Sequence, residues 1–146
     1  MIFMKIGIAS DHAGFELKER LKSELFALGH QYEDFGTNSP DSMDYPDVAH
    51  PLANAVESGE VELGIAICGS GNGISITVNK HQGIRAALCW NEELAKLARN
   101  HNNANILSLP ARFISQTEGV NILKSFLDAS FEGGRHEVRV NKIPCK

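Results

Sequence analysis

The run VELGIAIC, residues 61–68, constrains this chain more than any other stretch. Beyond Glu62 it is apolar at both alternating positions, so a strand made from it has no face to give to water. Such a strand belongs inside a parallel sheet covered by helices on both sides. The flanking chain fits that demand. IFMKIGIA (2–9) is a second apolar run of strand length, and residues 13–29 place Leu17, Leu21, Leu25 and Leu28 at helical spacing before a glycine stop. HQYEDF (30–35) reads as a strand, GTNSPDSMDYP (36–46) as turn chemistry, and 47–58 as a helix ended by Gly59. A short helix from about Gly73, strand IRAALC (84–89), helix 91–101, strand NILSL (105–109) and helix 115–130 complete the order.

Five strands alternating with helices predict a doubly wound α/β fold, a three-layer αβα sandwich with a five-stranded parallel sheet of Rossmann-like type, because parallel neighbours need right-handed crossovers. At 146 residues with 42% hydrophobic content the chain suits one domain, residues 1–146, burying about 70% of its unfolded surface. Residues 131–146, FEGGRHEVRVNKIPCK, read as a Gly-hinged, mildly basic tail. A formal charge of −4 and a pI near 5.8 argue against a nucleic-acid or polybasic membrane partner, so an anionic ligand must meet local positive charge. The apolar start runs straight into Asp11 and His12 without the form of a signal peptide, and no stretch is long enough to span a bilayer. Three cysteines without paired spacing read as free thiols of a cytoplasmic protein.

Ligands of doubly wound sheets sit beyond the carboxyl ends of the strands. Those ends carry SDHAG, GTNSPDSMDYP, CGSGNG, CWNE and PARF. The loop Gly69, Ser70, Gly71, Asn72, Gly73 lets backbone N–H groups approach an oxyanion at the start of a helix, or else is a tight strand-to-helix turn with no ligand. It is not a dinucleotide fingerprint, since the third glycine of that pattern falls on Ile74, and it lacks the Lys-Ser/Thr ending of a P-loop. Cys68 reads either as a small core residue or as a thiolate stabilised by the donors of that loop. Cys89 lacks such a loop and reads as structural, and Cys145 as incidental. Asp11 is a good helix N-cap, which leaves His12 unexplained. His30, His50 and His81 have no suggestive neighbours and read as surface residues. Asp11 and His12 lack a convincingly spaced third ligand, so no metal site is predicted. His101 ends its helix, where a cation suits the dipole, but the following amides of HNNAN could bind sugar hydroxyls. Arg135 and Arg139 are spaced i to i+4, so on a helical turn both guanidiniums grip one phosphate, unless the tail is only a solvated surface.

SDHAG, DYPD, ICGSGNGISI, NK…GIRAA, HNNAN and EGGRHEVR occur in this order between about Lys5 and Arg139. Together they resemble the ribose-5-phosphate isomerase B family, which includes galactose-6-phosphate isomerase subunits. The resemblance implies an aldose–ketose isomerase working through a cis-enediol without metal or organic cofactor. It implies Cys68 as the general base between carbons 1 and 2, Ser70 as the hydroxyl beside it, and Gly69 to Gly73 as the oxyanion loop. It implies His101 as the acid/base of ring opening with Asn102 on substrate hydroxyls, Asp11 and His12 on substrate, and Arg112, Arg135 and Arg139 on substrate and phosphate. One branch of the family uses a glutamate where this chain has Ile74; the cysteine is present instead.

The expected function is therefore interconversion of ribose 5-phosphate and ribulose 5-phosphate. A hexose 6-phosphate isomerase (allose or galactose 6-phosphate) and a non-catalytic sugar-phosphate-binding module are the alternatives. Direction along the chain adds one expectation. The helix 91–101 starts at the edge that carries Cys68 and runs away from it, so at 1.5 Å per residue it takes His101 roughly 15 Å off. A homodimer with active sites shared across a two-fold axis is predicted, and whether two dimers associate further stays open.

Overall fold

The computed structural model describes residues 3–145; Ile2 of the first expected strand and Lys146 of the tail lie outside them. Strands β1 (Lys5–Ser10), β2 (Gln31–Asp34), β3 (Leu63–Cys68), β4 (Ala86–Leu88) and β5 (Ile106–Pro110) form one sheet in the order β2-β1-β3-β5-β4. All four pairings are parallel. The helices are α1 (Phe15–Ala27), α2 (Pro46–Ser58), α3 (Asn72–Val78), α4 (Glu92–Asn102), α5 (Gln116–Asp128) and α6 (Arg135–Val140), with a 3-10 turn at His12–Gly14 ahead of α1. Among the described residues no helix is long and apolar enough to cross a membrane.

Every residue of β3 is buried, as its composition demands, because the strand lies between β1 and β5. Its alternate side chains feed two cores. Ile65 and Ile67 join Leu17, Leu21 and Leu25 of α1 and Leu123 and Phe126 of α5 on one face. Ala66 and Cys68 join Ala49, Leu52 and Ala53 of α2 and Ile74 and Val78 of α3 on the other. The chain leaves β1 through α1 on the first face toward β2, and leaves β3 through α3 on the second face toward β4. β1 and β3 are neighbours whose continuations part in opposite directions and on opposite faces. Their carboxyl ends therefore flank the crevice where such sheets bind ligands.

Several boundaries differ from the sequence reading for physical reasons. The helix expected over 13–29 begins as a 3-10 turn because the Asp11 carboxylate accepts from the N–H groups of both Ala13 and Gly14, at 3.0 and 3.1 Å. The strand expected over 84–89 shrinks to three half-buried residues, because β4 lies at the sheet edge and pairs only with β5. The tail is no βα unit, as expected, but it is folded: α6 packs on the last turn of α4. Of the three histidines read as surface residues without suggestive neighbours, His50 is exposed as expected and His81 half-buried, but all three have partners and His30 is not at the surface. His30 is buried, its Nδ1 accepting from the Met4 N–H, and His50 Nδ1 lies 2.7 Å from Nε2 of His81, whose other nitrogen meets Glu57 at 3.2 Å.

Lys18 of α1 sits where helical periodicity asks for an apolar residue and is fully buried. Its ammonium lies 2.6 Å from Oδ2 of Asp34, which also takes Lys22 at 2.9 Å, while Asp34 Oδ1 accepts from the Gly36 N–H. Burial alone would raise the Asp34 carboxyl, but hydrogen bonds from Lys18, Lys22 and Gly36 outweigh it and hold it below the usual carboxylate range. The pair thus fastens α1 to the end of β2 and to the loop that follows. Removing Asp34 leaves the buried Lys18 ammonium only the half-exposed Glu19 carboxylate, 3.1 Å away, so Asp34→Asn is expected to destabilise the fold by about 1–3 kcal/mol in denaturant titrations. Because the folded state depresses this group, its contribution is present above about pH 4 and fades as pH falls further. The gap between wild type and variant should shrink in that acid range.

Candidate active site

At the carboxyl edge of the sheet a cleft of about 460 Å³ is lined by Asp11, Tyr45, Cys68, Gly69, Ser70, Gly73, Arg112 and Phe113. Each wall has a local cause. Cys68 closes β3 and is 5% exposed. The chain then turns through Gly71, at φ +77°, into α3. A Cβ on Gly71 would stand 2.4 Å from Leu88, and one on Gly73 would stand 2.5 Å from the Tyr45 ring, so the glycines let strand, loop and phenol close together. The Asn72 N–H is taken by Ser70 Oγ and that of Ser75 by the Gly71 carbonyl. The N–H groups of Ser70, Gly71 and Gly73 have no acceptor among the described residues. A loop offering free donors next to a thiol is suited to an oxyanion forming beside a base.

Asp11 comes to the same cleft from β1, its own N–H bonded to the Ile67 carbonyl at 3.1 Å. His12 follows, and its Nδ1 accepts from the Met43 N–H at 3.2 Å, which in the neutral ring puts the proton on Nε2. That bond ties the loop 36–45 over the crevice and brings Tyr45 to the wall. Arg112 arrives after β5, where the N–H groups of Ala111 and Arg112 donate to the carbonyls of Cys68 and Gly69. Its guanidinium lies 3.3 Å from where a Cβ on Gly69 would be. Cys89 stays structural: burial pushes its thiol up to about 12, which keeps it neutral. Ile74 is fully buried in the α2–α3 core.

The other expected site residues assemble elsewhere. His101 stands in the last turn of α4, and the next residues, Asn103 to Asn105, are fixed at the amino ends of the strands. The Asn105 carbonyl accepts from Gly64 at the start of β3, and its side chain accepts from the Arg85 N–H before β4. Since Gly64 pairs with Ile106 and Cys68 with Pro110, four residues or about 13 Å of strand separate the two edges. His101 stacks on His136 of α6, ring centroids 4.2 Å apart and 11° from parallel, and its Nε2 is 3.7 Å from Glu132. Arg135 and Arg139, both exposed, lie on the same α6, and Asn102 is exposed beside His101. The chain therefore makes two groups. One holds Asp11, His12, Cys68, Ser70 and Arg112; the other holds His101, Asn102, Arg135 and Arg139.

Tyr45, Phe113, Glu132 and His136 were not singled out from sequence. All four lay in stretches that carry a signal, Tyr45 in DYPD, Phe113 in PARF, and Glu132 and His136 in EGGRHEVR, but their partners depend on which elements meet. A larger cavity, about 750 Å³, opens at the amino edge between Met4, His30, Glu62, Arg99, Lys124 and Asp128. It has mixed charge and neither a thiol nor a donor loop, so the smaller cleft is the candidate site.

Known proteins resemble the chain along nearly its whole length. The family described as Ribose/Galactose Isomerase matches residues 6–143. Ribose-5-phosphate isomerase B of Escherichia coli is 43% identical over 139 residues, 95% of this chain and 93% of that protein. The crystal structure of a ribose 5-phosphate isomerase from Thermotoga maritima is 51% identical with a TM-score of 0.95, covering 97% of both chains. Ribose-5-phosphate isomerase B from Mycoplasma genitalium, solved with bound ribulose-5-phosphate, is 44% identical with a TM-score of 0.92, covering 95% of this chain and 93% of that one.

The glycines of the loop are not equivalent, and their alanine variants should differ. Gly71→Ala meets both a left-handed backbone and the Leu88 and Leu109 walls, so it should lose roughly 2–4 kcal/mol in chemical denaturation. Gly69→Ala meets only the far end of Arg112 and should lose less than about 1.5 kcal/mol.

Proposed function

The chain belongs to the ribose/galactose isomerase family, and we propose that it interconverts ribose 5-phosphate and ribulose 5-phosphate through a cis-enediol, with Cys68 as the base. The observation that carries this reading is the pairing of the Cys68 thiol with the unpartnered N–H groups of Ser70, Gly71 and Gly73 at the β1–β3 crevice. A proton next to a carbonyl is only weakly acidic, so its removal needs a base and, at the same moment, donors on the oxygen that gains charge. In its thiolate form Cys68 takes the proton from carbon 2 of the open-chain aldose and returns it to carbon 1. The loop N–H groups and the Ser70 hydroxyl hold the oxygens of the enediolate while the charge moves between them. Asp11, His12 and Arg112 bind the substrate around the reacting carbons.

The second group completes the site from a two-fold-related copy. Ribose 5-phosphate carries its reacting carbons at one end and its phosphate at the other, and the two residue groups divide the same way. The partner subunit's His101 opens the furanose ring, with the partner's Asn102 on the hydroxyls. The partner's Arg135 and the partner's Arg139 form a two-pronged grip on the phosphate, arriving with that histidine because α6 packs on α4. Two observations favour this arrangement. Some 13 Å of strand separate the edges within one chain, and Phe113, at the rim of the Cys68 cleft, is 76% exposed, which suits a covered apolar face.

Cys68→Ala is expected to lower kcat by about 100- to 10,000-fold with ribose 5-phosphate still bound; near-normal turnover would remove Cys68 from the mechanism. Mixing inactive Cys68→Ala protein with inactive His101→Ala protein, under conditions in which labelled subunits are seen to exchange, should restore activity. Each mixed dimer then contains one site with both residues intact, and continued inactivity would place both residues of a site in one chain.

A further inference from the structure

We propose that His101, Glu132 and His136 form a binding site for a divalent transition-metal ion of the zinc class, and that its occupancy switches the enzyme off. The three ligand atoms lie within 4.8 Å of one another, the sole such cluster of histidine, cysteine and carboxylate groups among the described residues. Glu132 Oε1 stands 3.7 Å from Nε2 of His101 and 3.8 Å from Nε2 of His136. Ligands at about 2.0–2.2 Å around a tetrahedral ion lie roughly 3.3–3.6 Å apart, so Glu132 is within a few tenths of an ångström of that spacing from each histidine, while the two histidine nitrogens close the rest by the turning of one ring. The scaffold is tied together, because the Glu132 N–H donates to the Asn100 carbonyl at 3.0 Å and so fixes the start of the α6 segment on α4.

Two imidazoles and one carboxylate are a zinc-type donor set. Hard ions such as magnesium, which prefer all-oxygen shells, gain little from it. Metal binding needs neutral imidazole, so occupancy should rise with pH. The rings are stacked nearly parallel, so their lone pairs run side by side, and one ring must turn to meet an ion held by the other. His101, with 38% of its side chain exposed, has the room to turn about its soft χ2 torsion, while His136, at 12%, is the fixed ligand. The exposed side leaves a coordination position for water. The pair His50 and His81 offers no such site, since His81 engages Glu57 through one nitrogen and His50 through the other.

Inhibition rests on the reading of His101 as the ring-opening residue: an ion on its Nε2 takes the lone pair that proton transfer needs. Binding does not rest on that reading, and the experiment separates the two. Co2+ is titrated into the Cys68→Ala protein, so that the reacting thiol contributes nothing, and binding is read from the visible spectrum of the bound ion. One ion per chain is expected. Glu132→Gln or His136→Asn, each added to that background, should weaken binding at least about tenfold, with Mg2+ failing to displace the ion. No bound Co2+, or binding indifferent to both substitutions, overturns the site. In the otherwise wild-type enzyme Zn2+ should inhibit, EDTA should restore the rate, and Glu132→Gln should need at least about tenfold more Zn2+ relative to its own metal-free rate. If Co2+ binds in the expected pattern while the loaded wild-type enzyme turns over unchanged, the site stands and both the switch and the ring-opening role of His101 fall.

Discussion

Everything at the cleft depends on the parallel pairing of β1 with β3. That ladder joins Ile6–Ser10 to Leu63–Ile67 and brings the two strands to the same edge, so Asp11 bonds back to Ile67 and comes to the cleft that Cys68 lines. Because α1 and α3 leave on opposite faces, no helix covers the gap between the two strand ends. The crevice is a consequence of topology. The glycine loop then adds what topology cannot, N–H groups without acceptors in the same cleft as the Cys68 thiol, which is what the proposed proton transfer needs.

The fold also holds the roof of that crevice at a distance. Lys18 and Lys22 reach from α1 to Asp34, Asp34 accepts from Gly36, and the loop that starts there returns to His12 through the Met43 N–H. A buried ion pair adds little net stability, yet breaking it is costly because the survivor cannot be resolvated. Its value lies in fixing one position for a segment otherwise made of turn residues. Tyr45, at the end of that segment, then packs over Gly73 and closes one wall.

The two residue groups at opposite edges follow from one rule. A helix that starts beyond a strand's carboxyl end must travel the height of the sheet before the next parallel strand can begin. α4 obeys it, so the histidine in its last turn and the arginines of the packed α6 gather at the amino edge. The proposed substrate, with reacting carbons at one end and phosphate at the other, would draw on both groups if they meet across a two-fold axis. The stack of His101 on His136 beside Glu132 lies in the second group.

The sequence by itself determined the type and order of the elements, the glycine loop after Cys68 and the direction of the helix that carries His101. These are local properties: an eight-residue apolar run, a 3.6-residue period and a run of small residues act on their own neighbourhood. The motifs in order also identified the family, since six separated matches are hard to meet by chance. Tertiary structure alone decided which ends meet. Lys18 has no visible role in the sequence until Asp34, sixteen positions on, is folded against it. His136 and Glu132 acquire meaning only when α6 packs on α4. Strand order and side-chain partnership arise from contacts between segments far apart in the chain, and no local pattern encodes the distance between them.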